Sequence, residues 1–230
     1  MASGVIIGFD FIVISSFLFG LLVLGTAILS QEIHREATWY GLLVPALFYS
    51  IILVIGMGQQ TGLEPPRGLC AFQAIFLYSI PGWAVVAFGC FVITFYFKLK
   101  YMVAIENEDA DPPTLSRNIN LLLILTPLLS FVGFLFLNGL TVILDSKSPN
   151  ASLNRYKLYC TPRTHTGLYV GGAIMSVAMF IWFFIIVKAG VLLKTYYSKP
   201  KVKGDTIFRQ VLSIYIRATA ISIAASVVIG

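Results

Sequence analysis

Charge is what this chain has least of. Only 11% of its 230 residues are Asp, Glu, Lys or Arg, against 58% hydrophobic, and the mean hydropathy is +0.88. Soluble domains carry about 25% charged residues, so this sequence cannot supply the polar skin of a water-soluble fold. Basic residues are missing altogether before Arg35, which excludes a cleavable signal peptide with its basic N-terminal region. Histidine is limited to His34 and His165. There is no His-Glu-x-x-His string, no Ser-His dyad, no pair of carboxylates on one helix and no phosphate-binding Gly-x-x-x-x-Gly-Lys-Thr loop. Enzyme chemistry, a metal site and a cofactor are therefore not expected. The net charge of +6 belongs to short loops and does not form a nucleic-acid footprint.

What is present is apolar length. Charge-free stretches cover 11–31, 37–63, 68–97, 118–144 and 164–187, and a sixth apolar run from 211 to 230 is interrupted by Arg217. About 20 residues at ~1.5 Å rise cross a ~30 Å hydrocarbon core. Backbone polar groups find no water in lipid, so the runs must be helices or barrel strands. Barrel strands alternate apolar and polar residues, and these runs do not. The expected helices span about 6–30, 39–59, 68–98, 119–144, 167–193 and 207–230. The segments between them are too short for a separate soluble domain and show no repeat. Residues 1–230 read as one transmembrane helical domain in a lipid bilayer, with five complete helices and a partial sixth.

Orientation follows from Lys and Arg, which are enriched in cytoplasmic loops. With the N-terminus outside, inner loops hold Arg35, Lys98, Lys100, Arg117, Lys194, Lys199, Lys201, Lys203 and Arg209. The outer loops hold Arg67, Lys147, Arg155, Lys157 and Arg163, nine basic residues against five. The sequon Asn150-Ala151-Ser152 would then face the compartment where glycosylation occurs. Cys70 and Cys160 fall on the same outer side, where disulfides persist. A bridge between them is expected; the alternative is two free thiols too far apart to bond. Cys90, deep in helix 3, reads as a buried small hydrophobe.

The outside N-terminus, a long third helix opening with Cys70 and a partner Cys160 in the second outer loop resemble the G-protein-coupled receptors. The string Gly68-Leu69-Cys70-Ala71-Phe72-Gln73-Ala74, followed by Tyr78 and Pro81, resembles the seven-helix receptor-like proteins of mushroom-forming fungi. So does Ile214-Tyr215-Ile216-Arg217, which is similar to the start of their sixth helix. The resemblance implies a seven-transmembrane receptor bundle in the plasma membrane with an extracellular N-terminus. It would sense an external small molecule or peptide and signal to a heterotrimeric G protein. Since the sequence stops inside an apolar run, a seventh helix and a cytoplasmic tail are expected beyond it. The Asp/Glu-Arg-Tyr end of helix 3 in rhodopsin-like receptors has no counterpart at Thr94-Phe95-Tyr96-Phe97-Lys98, so their activation switch is not carried over.

Within that frame, ligand-pocket candidates are Gln73, Tyr78 and Trp83 on the outer half of helix 3, Tyr169 opening helix 5, and Asp10 in helix 1. Polar tips on an apolar wall suit small-molecule binding. The competing reading of each aromatic or amide is a partner for a neighbouring helix or a member of the interfacial aromatic belt. Asp10 is either a ligand or ion contact or a residue at headgroup level. Arg217 either snorkels or bonds helix 3 or helix 5; together with Arg209, Lys199, Lys201 and Lys203 it forms the candidate coupling face. Lys188 reads as a snorkelling anchor, and Glu106, Glu108, Asp109 and Asp111 as a solvated acidic patch. Two other functions compete with the receptor. A secondary transporter would show repeated halves and midplane acids, and an opsin-like light sensor needs a lysine in the missing seventh helix.

Overall fold

The computed structural model describes residues 2–29, 37–57, 60, 65–106, 117–144, 151–153, 158–162, 166–197 and 216. Five helices, α1 (Ala2–Leu29), α2 (Ala37–Ile55), α3 (Arg67–Glu106), α4 (Arg117–Leu144) and α5 (Thr166–Tyr197), form an all-α bundle, each long and apolar enough to cross a membrane. The chain is thus an integral membrane protein. A short antiparallel hairpin, β1 (Ala151–Leu153) and β2 (Cys160–Pro162), pairs Leu153 with Cys160 between α4 and α5. Of the sixth apolar run only Ile216 is described.

α3 is the axis of the bundle. Of its apolar window 61% is buried, against 11–28% in the other four helices, and it packs against α2, α4, α5 and the hairpin. α4 meets it along one stripe, Leu123, Pro127, Phe134, Asn138 and Val142, the spacing of one helix face. α1 packs on α2, and Val13 reaches a core cluster with Ile52, Leu53, Leu77 and Ile80. Outward-facing apolar side chains such as Phe11, Phe19, Leu129, Phe136 and Phe180 are exposed. In a bilayer these face lipid tails, so their exposure carries no hydrophobic cost.

Two glycines on α3 bring its neighbours close. A Cβ on Gly82 would overlap the Phe134 ring of α4, and one on Gly89 would overlap the Trp182 indole of α5. Each aromatic ring therefore lies directly against the α3 backbone, the close approach that small residues permit between membrane helices. Polar side chains within the spans bond backward to their own helix: Ser50 to Ala46 C=O, Ser79 to Ile75 C=O, Thr94 to Cys90 C=O and Thr126 to Leu122 C=O. In lipid that internal bond satisfies the hydroxyl without a partner helix.

Helix ends differ from the sequence expectation by four residues or more in four places. α3 runs on to Glu106, beyond the expected end near 98. The apolar run stops at Lys98, but good helix formers such as Leu, Lys, Met and Ala carry the helix past the lipid boundary. α2 ends at Ile55 instead of near 59, because Gly56 breaks the helix with a tighter turn. There the Gly56 N–H donates to Leu53 C=O at 3.1 Å and the Met57 N–H donates to Val54 C=O at 3.0 Å. The hairpin was not expected from the sequence. α1 begins at Ala2 and α5 extends to Tyr197; α4 matches its expected end at 144.

Candidate functional site

The start of α3 and the hairpin are joined by a disulfide, Cys70–Cys160, with Cα atoms 5.2 Å apart. Three residues further along the same helix face, Gln73 reinforces the joint. Its Oε1 accepts the Cys160 backbone N–H at 3.1 Å, and its Nε2 donates to the Ile52 carbonyl of α2 at 3.1 Å. That carbonyl belongs to the last turn of α2, where carbonyls lose their intrahelical partners; Gln73 supplies the missing donor. Gly56 permits the approach, since a Cβ there would overlap the Gln73 carboxamide. Gln73 is 3% exposed and works as a clamp among α2, α3 and the hairpin. It does not line the cavity below.

A second clamp ties α1 to the same region. The buried Gln60 amide donates to Asp10 Oδ1 at 3.1 Å and to the Leu158 carbonyl at 3.4 Å. Phe9 lies beside Tyr159, ring centroids 6.4 Å apart. Asp10 therefore has a protein partner, and its carboxylate is engaged at the edge of the hairpin, outside the cavity lining.

Beneath the hairpin lies a cavity of about 190 Å³ between α2, α3, α4 and α5. Tyr49 of α2, Tyr78 of α3, Asn138 of α4 and Tyr159 of the hairpin segment are the polar residues among its described lining. Leu77, Pro81 and Met175 form apolar wall, and Gly167 and Gly171 leave the α5 side open. Asn138 is anchored: its Nδ2 donates to Ser79 Oγ at 3.1 Å and to Phe134 C=O at 3.0 Å. Ser79 is fully buried, so the two residues form a polar link between α3 and α4.

Of the pocket candidates read from the sequence, the cavity takes in Tyr78; Asp10 is engaged by Gln60, and Gln73, Trp83 and Tyr169 are left out for reasons of helical angle. At ~3.6 residues per turn, five residues turn a side chain by roughly 140° from the starting direction. Gln73 and Trp83 each stand five residues from Tyr78 and face elsewhere. Trp83 stacks on Phe131 with centroids 4.4 Å apart and meets Phe48 edge-on at 5.8 Å. It lines a separate, apolar space of about 180 Å³ at the opposite half of the α2–α3–α4 contact, with Thr38, Cys90 and Pro127. Tyr169 is 72% exposed; two residues from Gly167 and Gly171, it lies across the helix from the cavity face. Asn150, Lys199, Lys201, Lys203, Arg209 and Arg217 lie outside the described residues, as do His34, His165, Glu108, Asp109 and Asp111.

Three polar cavity residues escaped the sequence reading, Asn138, Tyr159 and Tyr49. Asn138 had a usable signal, a lone carboxamide well inside an apolar run, where an uncompensated polar group is expensive. Tyr159 adjoins Cys160, so the expected bridge also brought it over α3. Tyr49 carried no signal, because an aromatic in a membrane helix reads equally well as lipid-facing or core. No family model matches this chain, and no curated protein matches it.

Proposed function

We propose that this chain is the ligand-sensing helical core of a seven-helix receptor of the mushroom-type fungal family. In this reading its N-terminus is extracellular, it sits in the plasma membrane, and it signals to a heterotrimeric G protein inside the cell. The observation that carries the reading is the roofed cavity. A hairpin bonded covalently to the first turn of the central helix covers a space where Tyr49, Tyr78, Tyr159 and Asn138 meet from four elements. Small-molecule sites between membrane helices have this form, apolar walls with few converging polar groups. A ligand bridging Tyr78 on α3 and Met175 or its neighbours on α5 would bias how those two helices pack, and both run to the opposite membrane face. The basic residues Lys199, Lys201, Lys203 and Arg209, with Arg217, are assigned to the G-protein contact from the sequence.

The test is nucleotide exchange on a heterotrimeric G protein by the full-length protein in nanodiscs, screened against a small-molecule library. Ligand-dependent exchange, lost when Tyr78 and Tyr159 are both changed to Phe, is the expected result. Ligand-driven solute flux with no exchange would replace the receptor by a transporter. Topology is tested separately: Asn150 should be glycosylated, and labelling of 199–203 from outside the cell would reverse the orientation.

A further inference from the structure

We infer that the ligand of the hairpin-end cavity is an uncharged small molecule carrying at least two hydroxyl or carbonyl groups on an apolar frame. The inference rests on the reading that this cavity is a ligand site, and it assigns the chemistry of the occupant.

Among the described residues, the polar groups that meet in the cavity are all neutral. Tyr49, Tyr78 and Tyr159 bring phenolic hydroxyls, each able to donate and accept. None of the three hydroxyls has a hydrogen bond to a described residue. Asn138 spends its amide N–H groups on Ser79 and Phe134, which leaves Oδ1 as an acceptor. Gly167 keeps that oxygen uncovered: a Cβ there would sit 3.1 Å from Asn138 Oδ1 and 3.0 Å from Thr141 Oγ1. The site therefore offers one fixed acceptor and three groups of either sense. A hydroxyl on the ligand meets Asn138, and further hydroxyl or carbonyl oxygens meet the tyrosines.

Charge is disfavoured by the same lining. Every described residue around the cavity is uncharged, and an ion moved from water into such a site without a counter-ion loses far more solvation than hydroxyls restore. Asp10, the acid in α1, is occupied by Gln60. Size narrows the class further. A volume of about 190 Å³ lies below the ~300–1,000 Å³ of sites for drug-sized ligands. One hydroxylated ring or a short branched polyol is of that size.

Three isosteric probes test the assignment on the full chain in nanodiscs, with empty nanodiscs as the partition control: 3-hydroxybenzyl alcohol, 3-hydroxybenzoate and 3-hydroxybenzylammonium. Saturation-transfer NMR should show saturable binding of the alcohol, with both ions at least about tenfold weaker. Tyr78→Phe with Tyr159→Phe should weaken the alcohol by about five- to thirtyfold. Gly171→Leu should abolish its binding, because a Cβ at 171 has only the Phe134 ring edge at 4.0 Å and the longer side chain fills the cavity. A melting curve confirms that this variant is folded. An ion binding as tightly as the alcohol overturns the inference, as does alcohol binding indifferent to both variants, or no saturable binding at millimolar concentration. A neutral ligand that binds here without changing nucleotide exchange would defeat the receptor reading alone. A charged agonist acting through this cavity would defeat only the ligand assignment.

Discussion

Gln73 accepts the Cys160 backbone N–H at 3.1 Å, on the same turn of α3 whose Cys70 is bonded to the Cys160 sulfur. One residue of the hairpin is thus held twice, once covalently and once through its backbone. The second hold also reaches α2, because the other end of the carboxamide donates to Ile52 C=O. Position and angle of the cavity roof are set by this three-element joint.

Gln73→Leu should leave the Cys160 N–H and the Ile52 carbonyl buried without partners, at about 1–3 kcal/mol for each unpaired group. Gln73→Glu should rescue it only while protonated, since a carboxylate cannot donate to Ile52 C=O, and the rescue should fade as pH rises. Gly56→Ala should be destabilising in the native background, because the new Cβ takes the space of the Gln73 carboxamide. In a Gln73→Ala background the same change should be close to neutral. Thermal unfolding of the four proteins in detergent measures the non-additivity; additive losses would show that the two residues do not share that space.

Removing the disulfide, with Cys70→Ala and Cys160→Ala together, releases a loop closed over 90 residues of sequence. In the chain-entropy account that loop contributes about 4–5 kcal/mol. The measured loss should be smaller, because inserted helices already restrict the unfolded chain and the Gln73 bond to the Cys160 backbone survives the change. Adding Gln73→Leu to the double alanine variant should free the hairpin. Hydrogen exchange across 158–162 should rise modestly in the first protein and steeply in the second.

Gly89→Ala should force the Trp182 indole off the α3 backbone. Over-packing of this kind costs typically about 1–3 kcal/mol. The expected readout is a lower melting temperature with a shift in tryptophan emission. Trp182→Phe should recover part of the loss in the Gly89→Ala background, since the smaller ring vacates the contested volume. An unchanged melting temperature for Gly89→Ala would mean that the two helices stand further apart than described.

The Asn138–Ser79 link is buried at both ends. Interhelical hydrogen bonds in membranes average about 0.6 kcal/mol and reach about 1.7 kcal/mol. A cycle of Ser79→Ala, Asn138→Ala and the double variant should return a coupling in that range. Asn138→Ala should also remove the acceptor facing the cavity and weaken a hydroxylated ligand, whereas Ser79→Ala should leave Oδ1 in place and affect binding less.

Composition determined the solvent, and apolar length determined the helices. A charge-poor chain with runs of about 20 apolar residues has one way to satisfy its backbone in lipid, so the five spans were legible to within a few residues at most ends. The largest error fell past Lys98, with errors of four residues at Gly56, at the start of α1 and at the end of α5; at Gly56 and past Lys98 local turn preference and helix propensity diverge from hydropathy. The bridge was legible because Cys70 and Cys160 fell on one side of the membrane. Which side chains share a cavity was decided by tertiary structure alone. Gln73, Tyr78 and Trp83 look equivalent along the sequence, but successive steps of five residues turn them to three different neighbours: the hairpin backbone, the cavity and the Phe131 ring. The charge poverty that identified the membrane also hid the site. The described lining, with Tyr49, Tyr78, Tyr159 and Asn138 as its polar residues, has no charge pattern to betray it, and only the packing of α2, α4, α5 and the hairpin around α3 brings those groups to one place.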